Sequence, residues 1–225
     1  MTFRTDRRGR REIVIGLASY AAYLLVRRLV WNERGRDRAV SNAARVARVE
    51  RAAGVDVESG VQRVALRFPS LVHVLNAGYA AGNVALSVGW LMLLFHRRDP
   101  AFTRERQAAV IAFAGALPFF AAFPTAPPRV LDGYVDTMAG TRFALDRPFL
   151  VRFYNPIAAM PSHHVAFACV TGAGLAARAT TRRSAAAWRA YPLAVAVVVV
   201  ATGNHFVADV AGGAMLGALA RRLSR

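Results

Sequence analysis

Leu71 to Phe95 runs for 25 residues without one Asp, Glu, Lys or Arg. A helix needs only about 20 apolar residues to cross a bilayer, so this run spans one with some tilt. Further apolar runs fall at about 13–31, 107–124, 157–177, 190–203 and 205–220. Together they predict an all-α, integral membrane bundle of six transmembrane helices. Arg27 and Arg28 shorten the first run and must snorkel. Pro118 kinks or thins the third. Gly212, Gly213 and Gly217 permit close packing of the sixth, and His73, Asn76 and Asn83 supply helix–helix hydrogen bonds in the second.

The charge agrees with this reading. All 30 basic residues are arginine, and the net charge is +17. These arginines flank the apolar runs, which is the pattern of membrane topology and not of a nucleic-acid surface. The short loops around Arg97–Arg106 and Arg178–Arg189 are basic, as are both ends, Arg4 to Arg11 and Arg221 to Arg225. Short basic loops stay inside, so both termini are predicted to be cytoplasmic in a multi-pass protein of the cell (inner) membrane. Cys169 is alone and forms no intrachain disulfide.

Residues 32–70 are too polar to span. Val57, Val61, Val64, Ala65 and Phe68 recur at helical spacing, with Asp56 placed as a cap and Arg63 and Arg67 on other faces. The expectation is an amphipathic interfacial helix between the first two spans, with a hairpin packed on the bundle as the alternative. The organisation is then 1–70, tail, first span and interfacial helix, followed by 71–225, a membrane core.

Ionisable groups gather at the ends of apolar runs, where they are costly and mark function. Pro161-Ser162-His163-His164 opens one run and Gly203-Asn204-His205 another, with Asp209 four residues on. On a helix His205 and Asp209 share a face, so the carboxylate holds one tautomer and leaves the other ring nitrogen nucleophilic. The bland alternative is two helix starts capped by Ser162 and Asn204. Thr125-Ala126-Pro127-Pro128 is a rigid exit that sets Arg129 at the membrane rim. By the six-span threading, Arg129, His164 and His205 emerge on one face, opposite the termini. A nucleophilic histidine, an orienting carboxylate, a proton donor and a cation are what attack on phosphorus requires.

Pro161-Ser162-x-His164 resembles the P-S-G-H motif of the type 2 phosphatidic acid phosphatase superfamily, and His205-x-x-x-Asp209 resembles the end of its S-R-x5-H-x3-D motif. The strings Phe123 to Arg129, Asn155 to His164 and Thr202 to His205 look like its inositolphosphotransferase-like branch, which includes inositol phosphorylceramide synthases. The resemblance covers about 107–220. It implies a phosphatase or phosphotransferase acting on a lipid-linked phosphate ester through a phosphohistidine, with neither metal nor cofactor, at the extracytoplasmic face. His205 is then the nucleophile, Asp209 its orienter and His164 the acid/base. Ser162, His163, Asn155, Asn204, Arg129 and Arg147 are the candidates for holding the phosphate, Arg142 and Arg152 being weaker ones. Three places depart from the motifs: Gly140 stands where the family has lysine, Val198-Val199 where it has Ser-Arg, and His163 where it has glycine. Two other classes stay open on the residues alone. His163, His164, His205 and Asp209 could bind zinc, or the chain could be a non-catalytic transporter or scaffold.

Overall fold

An apolar helix that buries little of itself against protein must bury the rest in lipid, and the first helix shows this plainly. The computed structural model describes residues 7–144 and 147–224; Arg4 and Arg225, counted in the basic termini, lie outside them. Helix α1 (Arg7–Val30) leaves Ile13, Val14, Leu17, Leu25 and Leu29 more than half exposed. At 1.5 Å per residue its 24 residues reach about 36 Å, enough for a bilayer's hydrocarbon core.

Helix α2 (Glu33–Ala52) starts at Asn32, whose Oδ1 accepts the Gly35 N–H at 2.9 Å. Its inward stripe is Ala39, Asn42, Ala43, Val46 and Glu50, at the three-and-four spacing of one helical face. After it come α3 (Glu58–Ala65), α4 (Pro69–Ala77), a π-helical turn at Gly78–Gly82 and α5 (Asn83–His96). The last three form one continuous helix, Pro69–His96. Then follow α6 (Phe102–Ala122), a 3-10 turn at Pro128–Val130, the short α7 (Pro148–Val151), α8 (His163–Ala176), α9 (Arg182–Ala201) and α10 (Val207–Leu223). Among the described residues the only extended pairing is an isolated bridge between Thr125 and Ala158.

Helix α8 sits at the centre, made narrow by small residues. A side chain at Gly172 would meet the Trp188 carbonyl oxygen of α9 at 2.6 Å, and one at Gly213 of α10 would meet the Ser162 carbonyl oxygen at 2.4 Å. Gly217 is equally tight against Cys169 and Ala166. The glycines of the sixth run do allow the close approach the sequence suggested.

Among the described residues three helices are long and apolar enough to cross a membrane: Arg7–Val30, Pro69–His96 and Arg182–Ala201. The other three expected spans are helices of a different kind. Helix α8 has 14 residues, because 157–162 are non-helical, with Ala158 bridged to Thr125. Helix α10 has 17 residues and carries Arg221 and Arg222, and α6 spends its first turn on Arg104, Glu105 and Arg106. Helix α9 begins eight residues before its predicted start, where a Thr181–Ser184 capping box satisfies the first N–H groups.

The segment between the first two long helices departs further. Asp56 does not cap α3; Val57 holds that position, and Asp56 pairs with Arg51 at 3.6 Å. The face of α3 that turns inward is Glu58, Gln62 and Ala65, while Val57, Val64 and Phe68 stand exposed. Helices α2 and α3 thus pack on the bundle through a face containing buried polar groups. Those groups have partners at the site.

Candidate active site

The turn between α9 and α10 is built to deliver His205. Gly203 has a φ of +69°, and a side chain there would also strike the Gln62 amide at 2.5 Å, so only glycine fits. Its carbonyl accepts the Arg129 N–H at 2.9 Å, drawing the exit of α6 against this turn. That exit is held from its other side, since the Thr125 N–H donates to the Ile157 carbonyl and the Ala159 N–H to that of Thr125, both at 3.0 Å.

His205 precedes α10 instead of lying on it, so the shared helical face read from the spacing is not how the pair meets. The meeting still occurs. The His205 Nδ1–H donates to Asp209 Oδ2 at 3.2 Å, and the same oxygen accepts the Phe206 N–H at 3.0 Å. Asp209 is fully buried and His205 nearly so. With the Nδ1 proton held by the carboxylate, Nε2 keeps its lone pair for a substrate.

His164 lies beside it, ring centroids 5.9 Å apart. Its Nε2–H donates to the Tyr79 carbonyl at 3.1 Å, and its ring stacks on that of Tyr79 at 4.4 Å. The Nδ1 atom is left to exchange a proton. Tyr79 sits in the π-helical turn, and Asn83, one residue past that turn, donates to the His164 carbonyl at 2.9 Å. Ser162 is buried as the cap of α8, its Oγ accepting the Val165 N–H at 3.4 Å. Its own N–H donates to the Asp209 carbonyl at 2.9 Å, tying the two motif strings together. Ser162 therefore caps a helix, as the bland alternative had it, whereas Asn204 caps none; Phe206 stands at that position of α10.

A cavity of about 520 Å³ opens onto both histidines. Asn155 and Asn204 line it, with Tyr20 and Tyr23 of α1. Asn155 is buried and its Oδ1 accepts the Ile157 N–H at 3.3 Å, but its Nδ2 meets no acceptor. Among the described residues this buried donor, on a residue that lines the cavity, is left without a partner, and such a group asks for an explanation. Arg129, with little of its side chain exposed, lies beside Asn204 and not in the cavity lining itself: Nη1 donates to Asn204 Oδ1, and Nε pairs with Asp136 at 3.3 Å. Tyr154 and Tyr79 flank the same guanidinium.

Two candidates stand apart. His163 turns its ring onto Phe113, stacked at 5.0 Å, and its Nε2–H donates to the Phe113 carbonyl at 3.1 Å. It forms wall. Arg147 is exposed and donates to the Thr141 carbonyl within its own loop at 3.2 Å. Of the weaker arginines, Arg142 contacts His73 at 3.0 Å. Among the described residues no three His, Cys, Asp or Glu side chains gather in a way that could hold a metal.

Sequence reasoning missed two carboxylates. The Val207 N–H donates to Glu58 Oε1 at 2.8 Å and the Ala208 N–H to Glu50 Oε1 at 2.6 Å. The first N–H groups of a helix have no partner within it, and here α2 and α3 supply them to the helix that carries Asp209. Glu50 and Glu58 are both buried and each keeps one oxygen without a donor. Burial, and then the neighbouring Glu58 side chain, push the Glu50 carboxyl up to about 8. One signal was legible: Glu50 continues the Ala39–Ala43–Val46 stripe.

Exposed apolar helices around a buried histidine–carboxylate pair, with a second histidine and an arginine at one end, define the class: a helical membrane-type protein with a buried histidine–carboxylate site. The particular family follows from comparison. The model of the PAP2 superfamily matches residues 44–223, and the chain belongs to that family. No curated protein and no solved structure matches the chain. Membership supports phosphatase-like action on phosphoesters, and with the apolar helices it points to a membrane protein.

Proposed function

We propose that the chain is a membrane enzyme that cleaves lipid-linked phosphate esters through a phosphohistidine on His205, at the extracytoplasmic face. The observation that carries the reading is the His205–Asp209 pair at 3.2 Å beside His164 at the wall of one cavity. In the first half, the Nε2 lone pair of His205 forms the P–N bond as the P–O bond to the leaving alcohol breaks. His164, entering the step protonated at Nδ1, gives that proton to the leaving oxygen while its Nε2–H stays on the Tyr79 carbonyl, and Asp209 stabilises the cationic ring of His205. In the second half a water oxygen attacks phosphorus, His164 takes back a proton, and the P–N bond breaks to release phosphate and restore His205. An alcohol in place of water makes the same steps a transfer. Arg129, through its remaining N–H groups, and Asn155 Nδ2 are the donors for the phosphoryl oxygens.

Trapping from labelled lipid phosphate tests this. The wild type should hold acid-labile, base-stable phosphate, and His205→Ala should hold none and turn nothing over. His164→Ala should lose roughly 10²–10⁴-fold, and less for esters with acidic leaving groups. An active His205→Ala enzyme would end the proposal. Phosphate release with and without added alcohol separates hydrolysis from transfer.

A further inference from the structure

The catalytic cavity does not end at its own walls. Tyr20, Phe113 and Phe167 also line a second, larger groove of about 910 Å³ that runs between α1 and the α5–α6 pair. The groove follows α1 from Tyr20 back to Arg8, which is twelve helical steps or about 18 Å. Its sides are apolar: Ile13 and Gly16 from α1, Met92 and Phe95 from α5, Ala109 and Val110 from α6. Its far end is charged. Arg8 stacks over the Phe95 and Phe102 rings at 5.0 and 5.3 Å, and Arg106 pairs with Glu12 at 3.0 Å.

We propose that this groove receives the hydrocarbon tail of the substrate, and that α1 selects its length. The inference rests on the reading of the site given above. Adjacency argues for the occupant, because the cavity at His205 and the groove share the Tyr20, Phe113 and Phe167 side chains, so a tail leaving a phosphate at His205 has this groove as its apolar neighbour. The charged groups at the other end, Arg8 with the Arg106–Glu12 pair before it, set a stop, since a methyl terminus gains nothing by displacing them. At an advance of about 1.25 Å per methylene, from C–C bonds near 1.5 Å, the groove takes roughly fourteen carbons. Helix α1, one side of the groove, precedes the stretch matched by the family model, 44–223. Gly16 leaves room within it, for a side chain there would meet nothing within 4 Å.

The test uses the purified full chain and simple n-alkyl phosphates of four to eighteen carbons, which share one leaving-group chemistry and differ only in length. In the wild type, kcat/KM should rise with length and level off only at or beyond about fourteen carbons, since the first carbons cross the catalytic cavity before the groove begins. Gly16→Phe should cut kcat/KM by at least tenfold for the long esters, leave the four-carbon ester within twofold, and move the plateau to shorter chains. Ile13→Trp narrows the groove from a different position and should act alike, while Val14→Phe, outside the groove on the same helix, should leave the profile unchanged. The four-carbon ester reports that each variant is folded. Equal losses at every length, or an unmoved profile in both groove variants, would overturn the proposal and leave the groove to bulk lipid. Absence of His205-dependent turnover across the whole series would instead refute the reading of the site, and this inference with it.

Discussion

Arg129 makes the sharpest case at the scale of single residues, because its neighbours use only part of its fork. A guanidinium has five N–H donors; Asn204 and Asp136 engage the Nη1 and Nε positions, leaving donors for a phosphoryl oxygen. Arg129→Lys keeps the charge and loses the fork, so kcat should fall substantially without vanishing. Arg129→Ala should cost on the order of 3 kcal/mol in transition-state stabilisation, or about a hundredfold or more in kcat. Full turnover in both variants would remove Arg129 from the phosphate site. Asn155 gives a second, independent test. Asn155→Asp puts an acceptor where Nδ2 now stands unpartnered, so KM for an anionic ester should rise more than in Asn155→Ala. The reverse order would mean that Nδ2 faces no phosphate. These residues were legible because each sits in a short string with its own backbone logic: proline-fixed for Arg129, a helix cap for Ser162, an i to i+4 pair for His205 and Asp209. His163 and Arg147 carried suitable chemistry, yet Phe113 and the Thr141 carbonyl claim them, and no local spacing announces such partners.

At the scale of helices, the unexpected working part is the pair α2–α3. Read as a stripe of valines, α3 belonged to an interface; its packed face is instead polar, because the first turn of α10 needs acceptors there. Contacts of 2.6 and 2.8 Å between elements about 150 residues apart leave no periodic trace, and only the Glu50 stripe hinted at them. Glu58→Ala removes an acceptor from the α10 terminus and should lower both stability and turnover, by about 1–3 kcal/mol in stability for a buried donor left unmet. Glu58→Gln retains a carbonyl acceptor and should recover much of the turnover. Equal damage from both would point to packing and away from the N–H contact. Glu50 adds a dependence on pH. Its carboxyl holds a proton up to about 8 in the folded chain, a range in which the unfolded chain has released it. The folded state therefore binds more protons between the two values. Stability from this group is complete below about pH 4.5 and drains away as pH rises through about 8. Melting temperature measured across that window should fall with pH, and fall less steeply in Glu50→Gln. Parallel slopes would show that the proton resides elsewhere.

At the scale of the whole molecule, the ends of the bundle are chemically unlike. One end holds Arg129, His164, His205 and the α2–α3 cap. The other is a belt of ion pairs that joins helix ends: Arg106 of α6 to Glu12 of α1 at 3.0 Å, Arg221 of α10 to Glu105 of α6 at 2.6 Å, and Arg178, after α8, to Asp99, after α5. The start of α1, the end of α5, the start of α6, the ends of α8 and α10 and the loop into α9 thus share that end. This is the order that six alternating crossings would produce, even though among the described residues only three helices meet the length and apolarity of a free-standing span. A helix such as α8, buried among its neighbours, has little lipid to face and can be short. The short basic loops lie in the ion-pair belt, and positive loops remain cytoplasmic. The cavity should then open outside. In a Cys169→Ala background, Asp132→Cys in the loop after α6 should react with an impermeant maleimide on intact cells. Arg183→Cys, at the start of α9, should react only once the membrane is opened; both positions are exposed in the fold. Labelling of both from one side would break the six-crossing arrangement, and labelling with the sides exchanged would turn the active site to face the cytoplasm.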